Sequence, residues 1–287
     1  MIILNADDFG LSAGVSRGIA ELCQNGRLSS TSAIVNLANW QAHAVALAEL
    51  RPLVATGLHL NLTLGPPLTR EASAVLAGRD GRFLPLGRVI RAAATGRLDG
   101  AALRAECAAQ IDAFQRHAGH LPDFIDGHQH VHALAGIRDA LLDVMKQFAW
   151  VRPPFIRVPV DRHGFNRFSR GDAQKRAMVA FLTRGFRARV EAAGLPHNDT
   201  FAGFSSFTSG RDYRLELDLA LGHGGACHLV MCHPGHVDDE LLRSGDAVTG
   251  RRQEELSGLM AFNGLSQRIW HPSRTADGAI DWAEMTR

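Results

Sequence analysis

Short apolar runs of β character alternate with helical patterns along nearly the whole chain, and this alternation narrows the fold more than any other feature. The β-like runs are Met1–Ala6, Ser32–Leu37, Ala55–Thr63, Phe124–Gly127, Phe155–Val158, Thr200–Phe204 and His228–Cys232. The first helix follows Ser12 as its cap, carries Val15, Ile19 and Leu22 on one stripe, and stops at Gly26. Further helical stretches are Trp40–Leu50, Ala101–His117, a stripe of Ile137, Leu141, Val144 and Met145, the basic Lys175–Ala193, Tyr213–Leu221 and roughly Gln253–Phe262. The segment from Gly65 to Pro85, rich in Gly and Pro, reads as a loop over one end of the fold. Repeated β-α units predict a parallel sheet with helices outside it. No Gly-x-Gly-x-x-Gly turn follows the first strand, and 287 residues suit a barrel better than an open dinucleotide-binding sheet. We therefore expect an α/β fold, a single-domain distorted (β/α) barrel of TIM-like type over residues 1–287, with irregular insertions near 65–90 and 151–172.

Composition excludes several classes. Lys and Arg total 31 against 29 Asp and Glu, so no net field attracts nucleic acid or an anionic membrane. No apolar run approaches the ~20 residues needed to span a bilayer. The apolar start lacks a basic leader and meets Asp7 within a few residues, which argues against a signal peptide. Cys23, Cys107, Cys227 and Cys232 show no Cys-x-x-Cys spacing, as expected for a reduced, cytoplasmic protein.

In barrels of this kind the chemistry sits at the C-terminal ends of the strands. The first strand ends on Asp7-Asp8, two carboxylates that repel each other unless a cation lies between them. On the third, Leu58, Leu60 and Leu62 share the helix-facing side, which turns His59 and Asn61 into the barrel. The fourth ends in Asp126-Gly127-His128-Gln129-His130-Val131-His132, the fifth carries Arg157, and the late strand runs into His233. Two imidazoles and one carboxylate are a recipe for a divalent cation with open positions for water and substrate. One Asp of the pair then serves as ligand and its neighbour as base, Arg157 orients the base, and His233 protonates a leaving amine. One of the three histidines at 128, 130 and 132 is expected as a ligand, and the others as substrate contacts or support. Each residue also has a plainer role: helix cap for the Asp pair, core histidine for His59, structural ion pair for Arg157. Their joint placement at strand ends favours one site.

The segments Asn-Ala-Asp-Asp-Phe-Gly-Leu-Ser (5–12), Gly-Leu-His-Leu-Asn-Leu-Thr (57–63), Asp-Gly-His-Gln-His-Val-His (126–132) and Met-Cys-His-Pro-Gly (231–235) resemble the YdjC-like carbohydrate deacetylases, which include chitooligosaccharide and hopanoid-associated deacetylases. The resemblance implies a fold related to the polysaccharide deacetylase superfamily. It implies removal of an N-acetyl group from an amino sugar, either a chitooligosaccharide or a lipid-linked or cell-envelope sugar, with release of acetate. Carried over by motif, the metal ligands are Asp8, His59 and His128, Asp7 is the base, His233 the acid and Arg157 the arginine that holds the base. Asn61, His130 and His132 are expected against substrate. The resemblance implies magnesium, while zinc, cobalt or nickel would suit a histidine-rich set.

The stretch Val151–Arg170 and the basic helix to Arg189 have no counterpart in these motifs; a cleft wall, a subunit contact in a homo-oligomer, or a site for a phosphorylated or lipid-linked sugar would each fit them. Trp40, Phe83, Trp150 and Phe165 are candidates for stacking on sugar rings, with core packing the commoner use of such residues. Three other readings compete: a metal-dependent phosphoesterase, a non-haem iron oxygenase, and a glycan-binding protein without chemistry. The first lacks a second carboxylate cluster, the second belongs on an antiparallel barrel, and the third predicts a broken Asp7/Asp8/His59/His128 set.

Overall fold

The computed structural model describes residues 1–160, 170–204, 212–222 and 225–282. Its strands are β1 (Ile2–Phe9), β2 (Ser30–Ala33), β3 (Ala55–Leu60), β4 (Phe124–Gly127), β5 (Phe155–Ile156), β6 (Thr200–Ala202) and β7 (His228–Cys232). The helices of the first half are α1 (Ala13–Gln24), α2 (Trp40–Leu50), α3 (Arg70–Val75), α4 (Leu86–Ala94), α5 (Gly100–Ala118) and α6 (Ile137–Met145). Those of the second half are α7 (Arg170–Leu182), α8 (Phe186–Ala192), α9 (Tyr213–Leu221), α10 (Asp239–Ser244), α11 (Thr249–Ala261) and α12 (Leu265–Arg268). The seven strands form one sheet in the order β5-β4-β3-β2-β1-β7-β6. Every pairing is parallel.

The sheet curls into a distorted barrel, as the β-α alternation predicts. Its two edge strands, β5 and β6, share no ladder. The Ile156 N–H instead donates to the Pro196 carbonyl at 2.8 Å, and Ile156 forms a single parallel bridge with His197. The fully buried Asn198 completes the seam: its carbonyl oxygen accepts from Val158 N–H at 2.8 Å, and its amide donates to the carbonyls of Val158 (2.8 Å) and Thr200 (3.1 Å).

Alternation along each strand sorts the core into two parts. Leu4, Ala6, Leu58, Leu60, Ile125 and Val230 face outward and join the helix stripes in the larger apolar cluster. Ile3, Ala55, Phe124, Phe155, Phe201 and Leu229 face inward and fill the N-terminal half of the barrel. Gly57 makes room there, because a Cβ at this position would lie 2.5 Å from the Phe124 ring. The C-terminal segment closes the floor. Ile280 and Trp282 join the inner cluster, the Trp270 N–H donates to Ile2 O at 2.7 Å, and Arg274 pairs with Asp123 at 2.8 Å. With an apolar lower half, the barrel keeps its polar side chains at the C-terminal mouth.

Boundaries differ from the sequence reading where local chemistry overrides pattern. Ser12 does cap α1, accepting from Val15 N–H at 3.2 Å. Strand β2 begins two residues earlier than expected, at Ser30. The 65–90 region holds α3 and the start of α4 as well as loop. The basic helix splits into α7 and α8, because Gly185 takes a left-handed conformation at φ 80°. Helix α11 begins at Thr249, four residues before the expected start, which brings Arg252 inside its first turn. Residues 161–169 of the 151–172 stretch, Phe165 among them, lie outside the described residues. Trp40 is buried on Phe114 and donates to Ala113 O at 3.0 Å, and Phe83 is also in the core, so neither presents a face to a sugar. Among the described residues, no helix is long and apolar enough to cross a membrane.

Because the Asn198 side chain makes three hydrogen bonds at the seam, Asn198→Ala should cost roughly 2–4 kcal/mol, the worth of a few buried hydrogen bonds plus the backbone groups left unpaired. Urea unfolding monitored by circular dichroism measures this; a loss under about 0.5 kcal/mol, the size of an ordinary surface change, would show that the seam is held by something else.

Candidate active site

The site begins with a backbone irregularity. Neighbouring residues of a strand point to opposite faces, so Asp7 and Asp8 should not both enter the barrel. At the end of β1, Ala6 pairs with Thr31 and Phe9 with Ala33, so three steps along β1 match two along β2. The extra residue is a bulge. Asp8 adopts the left-handed conformation, φ 72°, which Asp tolerates better than most residues but which still costs about 1 kcal/mol or more. Between the outward Ala6 and Phe9, both carboxylates therefore turn to the mouth.

Each carboxylate has its own set of partners. Arg157 grips Asp7 with two bonds, Nη1 to Oδ2 at 2.7 Å and Nη2 to Oδ1 at 2.5 Å, and also pairs with Asp126 Oδ2. The Asn5 amide donates to Asp7 Oδ1 at 2.7 Å. Burial opposes ionisation of Asp7, yet the Arg157 guanidinium holds the carboxyl well below the usual range. Asp8 presents Oδ1 to two imidazoles, His59 Nε2 at 3.2 Å and His128 Nδ1 at 2.9 Å. Its other oxygen, Oδ2, accepts from Arg252 Nη2 at 2.7 Å.

His59 is fixed from behind. Register pairs it with Asp126 across β3 and β4, and its Nδ1 lies 2.6 Å from Asp126 Oδ1 and 3.1 Å from the Ser32 hydroxyl. A carboxylate on the far nitrogen is the usual support for a metal-binding imidazole. Burial lowers the His59 imidazole, but Asp126, Asp7 and Asp8 outweigh it and raise the group to about 10. The surroundings of His59 thus favour a positive charge.

Among the described residues, two groups of side chains have the spacing to hold a metal ion: Asp8, His59 and His128, and Asp7, His59 and Asp126. In the second group the Arg157 guanidinium already bridges both carboxylates, so a metal would compete with a fixed cation. The first group has one carboxylate oxygen and two imidazoles converging, with Oδ2 and the far side of His59 tied elsewhere. Its donor chemistry fits a divalent cation.

His128 and His233 stand at the mouth with side chains 14% and 13% exposed, while Asp7, Asp8 and His59 are closed off. His233 Nε2 lies 3.8 Å from Asp7 Oδ2, too far for a direct hydrogen bond. Burial pushes the His233 imidazole down to about 4, against the attraction of Asp7 and Asp8. The structure thus brings Asp7, Asp8, His59, His128, Arg157 and His233 into one cluster. His130 borders it with φ 60°, edge-on to Phe201 and Phe204. Two expected substrate contacts belong elsewhere. Asn61 is fully buried just beyond β3, where its amide donates to Asn36 Oδ1 and Leu64 O and its carbonyl accepts from Thr63 and Leu64 N–H. It shapes a loop and has no polar atom left for a sugar. His132 is fully buried as well, with Nε2 2.8 Å from Arg157 O, so it supports the strand carrying Arg157 from behind.

Sequence reasoning passed over Asp126, Arg252, Asp246 and Glu255. The register of β3 and β4 and the alternation Phe124, Asp126 could have flagged Asp126. Helix α11 inserts Arg252 and Glu255, three residues apart, from one face: Arg252 reaches Asp8, and Glu255 Oε2 accepts from the His233 backbone N–H at 2.6 Å. Burial raises the Glu255 carboxyl from 4.5 to about 7. Between those values the folded protein binds a proton that the unfolded chain has released, so this group lowers stability as pH rises from 4.5 to about 7. Glu255→Gln keeps an acceptor for His233 N–H and removes the slope. The variant should gain in melting temperature relative to wild type between about pH 5 and about pH 8. A constant difference across that range would show that Glu255 is ionised throughout.

Known proteins resemble this chain in sequence and in fold. The chain is 33% identical over 264 residues, 90% of each chain, to a chitooligosaccharide deacetylase of Klebsiella pneumoniae (strain 342). It is 33% identical over 248 residues to a human carbohydrate deacetylase, covering 82% of this chain and 75% of that one. A crystal structure from Enterococcus faecalis V583, of a protein with a proposed role in cellobiose-phosphate cleavage, shares the fold with a TM-score of 0.72 at 21% identity, covering 100% of this chain and 98% of that one. A family model described as YdjC-like protein matches residues 1–262, and the chain belongs to the YdjC-like family.

Proposed function

We propose that the protein is a metal-dependent carbohydrate deacetylase that hydrolyses the N-acetyl group of an amino sugar and releases acetate. The observation that carries this reading is an ionised Asp7, gripped by Arg157, beside the convergent Asp8, His59 and His128, with His233 across the mouth. The relatives named as deacetylases support it.

An amide is a poor electrophile with a poor leaving group, so the site must activate water, polarise the carbonyl and protonate nitrogen. A divalent ion held by Asp8, His59 and His128 would supply Lewis acidity, acidifying water and polarising the acetyl carbonyl. Asp7 is the base. The two bonds from Arg157 aim it and keep it ionised at neutral pH, ready to receive a proton. His233 delivers a proton to the departing amine. Burial keeps its imidazole uncharged at neutral pH, so the proton it gives is the one Asp7 has taken from water, relayed through a water or the substrate because Asp7 Oδ2 is 3.8 Å away. His130, between Phe201 and Phe204, offers an apolar flank for the sugar or the acetyl methyl group. Magnesium, zinc, cobalt and nickel all remain compatible with one carboxylate and two imidazoles.

Acetate release by metal-stripped protein tests the reading, with single metals restored and N-acetylglucosamine, diacetylchitobiose, longer chitooligomers and a lipid-linked N-acetylamino sugar as substrates. Acetate should appear only with metal. Asp7→Asn should retain the metal and lose at least about 100-fold in turnover. Acetate release without metal, or full activity in Asp7→Asn, would refute the assignment.

A further inference from the structure

Arg252 reaches the site from behind and faces no substrate. It is fully buried, and its guanidinium joins two carboxylates from distant parts of the chain. Nη2 donates to Asp8 Oδ2 at 2.7 Å and to Asp246 Oδ1 at 3.1 Å, while Nε donates to Asp246 Oδ2 at 2.8 Å. Asp246 is itself tied to the start of α11, since its Oδ2 accepts from the Thr249 hydroxyl at 3.1 Å and its carbonyl from the same hydroxyl at 2.9 Å. The fork is therefore aimed before it meets Asp8. One turn further, Glu255 holds the His233 backbone, so a single helix sets both sides of the mouth.

We propose that Arg252 is the positioning residue of Asp8: by occupying Oδ2 it presents only Oδ1 to His59 and His128, and it restricts Asp8 to binding a metal through one oxygen. This rests on the reading of Asp8, His59 and His128 as the metal ligands. The physical reason is geometric. A carboxylate free on both sides can chelate a cation with both oxygens and fill a position that water or substrate needs. The Nε–Nη2 edge of the guanidinium, locked on both oxygens of Asp246, points its remaining Nη2 hydrogen at Asp8 Oδ2 and keeps that oxygen off the cation, an arrangement a lysine cannot reproduce. The left-handed backbone at Asp8 sharpens the need, because the side chain leaves the strand at an angle that no neighbouring strand enforces.

The test uses the full-length protein loaded with cobalt(II), whose visible absorption reports coordination number, alongside calorimetric cobalt affinity and steady-state kinetics. Arg252→Gln should alter the cobalt spectrum toward higher coordination. Its cobalt affinity should change by less than about tenfold, because loss of a nearby cation offsets loss of orientation, while kcat falls about 10–100-fold with little change in KM. Arg252→Lys, which restores charge without the fork, should keep the altered spectrum. Asp246→Asn, milder for folding, should move spectrum and kcat the same way by a smaller amount. Folded variants with a wild-type cobalt spectrum would overturn the role of Arg252 while leaving the ligand set intact. Recovery of spectrum and kcat by Arg252→Lys would overturn it too, reducing Arg252 to a charge. Wild-type protein that takes up no cobalt would refute the ligand set and this inference together.

Discussion

Two adjacent carboxylates at the end of β1 are the constraint around which the upper half of the barrel is arranged. The bulge and the left-handed Asp8 place both in one buried space, where neither could remain ionised alone. Two buried guanidiniums from distant parts of the chain offset them: Arg157 after β5 takes Asp7, and Arg252 on α11 takes Asp8. Removing one member of such a buried pair typically costs 3–5 kcal/mol, because the other charge is left uncompensated. The pairs thus tie the site to the closure of the barrel. Arg157 lies beside the seam that Asn198 completes, and Arg252 lies on the helix that holds the late strand's His233.

The same arrangement divides labour between the neighbours. Asp7 has both oxygens bonded to one guanidinium and lies 3.8 Å from His233 Nε2. Asp8 has one oxygen bonded and one directed at two imidazoles. Identical side chains one residue apart thereby acquire different chemistry through their partners alone. Behind them, Asp126 serves both halves at once, orienting His59 through one oxygen and meeting Arg157 with the other. A change at Asp126 would reach the proposed ligand His59 and the proposed base Asp7 together.

The barrel and the main cluster were legible because their signals are local. Alternating leucines turned His59 inward, and acids and histidines recurred where strands stop. What escaped depended on contacts that no local period encodes. Arg252 and Glu255 sit in Arg-Arg-Gln-Glu-Glu, which reads as a solvated helix face; the packing of α11 against α1 and α9 buries three of its charges, Arg251, Arg252 and Glu255. Asn61 follows the inward parity of His59, but the strand ends at Leu60, and one residue later its amide is serving a loop. The period-two histidines separate because Gln129 and His130 take left-handed conformations at φ 53° and 60°, which leaves His128 at the mouth and sends His132 behind Arg157. The floor of the barrel was unreadable too, since Trp270, Ile280 and Trp282 are too sparse to show a period.

On the reading proposed above, the bulge at Asp8 creates a cation site with His59 and His128. A crystal structure of the protein soaked with zinc or cobalt, with anomalous data collected at that metal's absorption edge, tests it most directly. One peak is expected within bonding distance of Asp8 Oδ1 and the two imidazoles, with Arg157 still on Asp7 and Arg252 still on Asp8 Oδ2. A peak between Asp7 and Asp126 with Arg157 displaced, or no peak at the mouth, would contradict it.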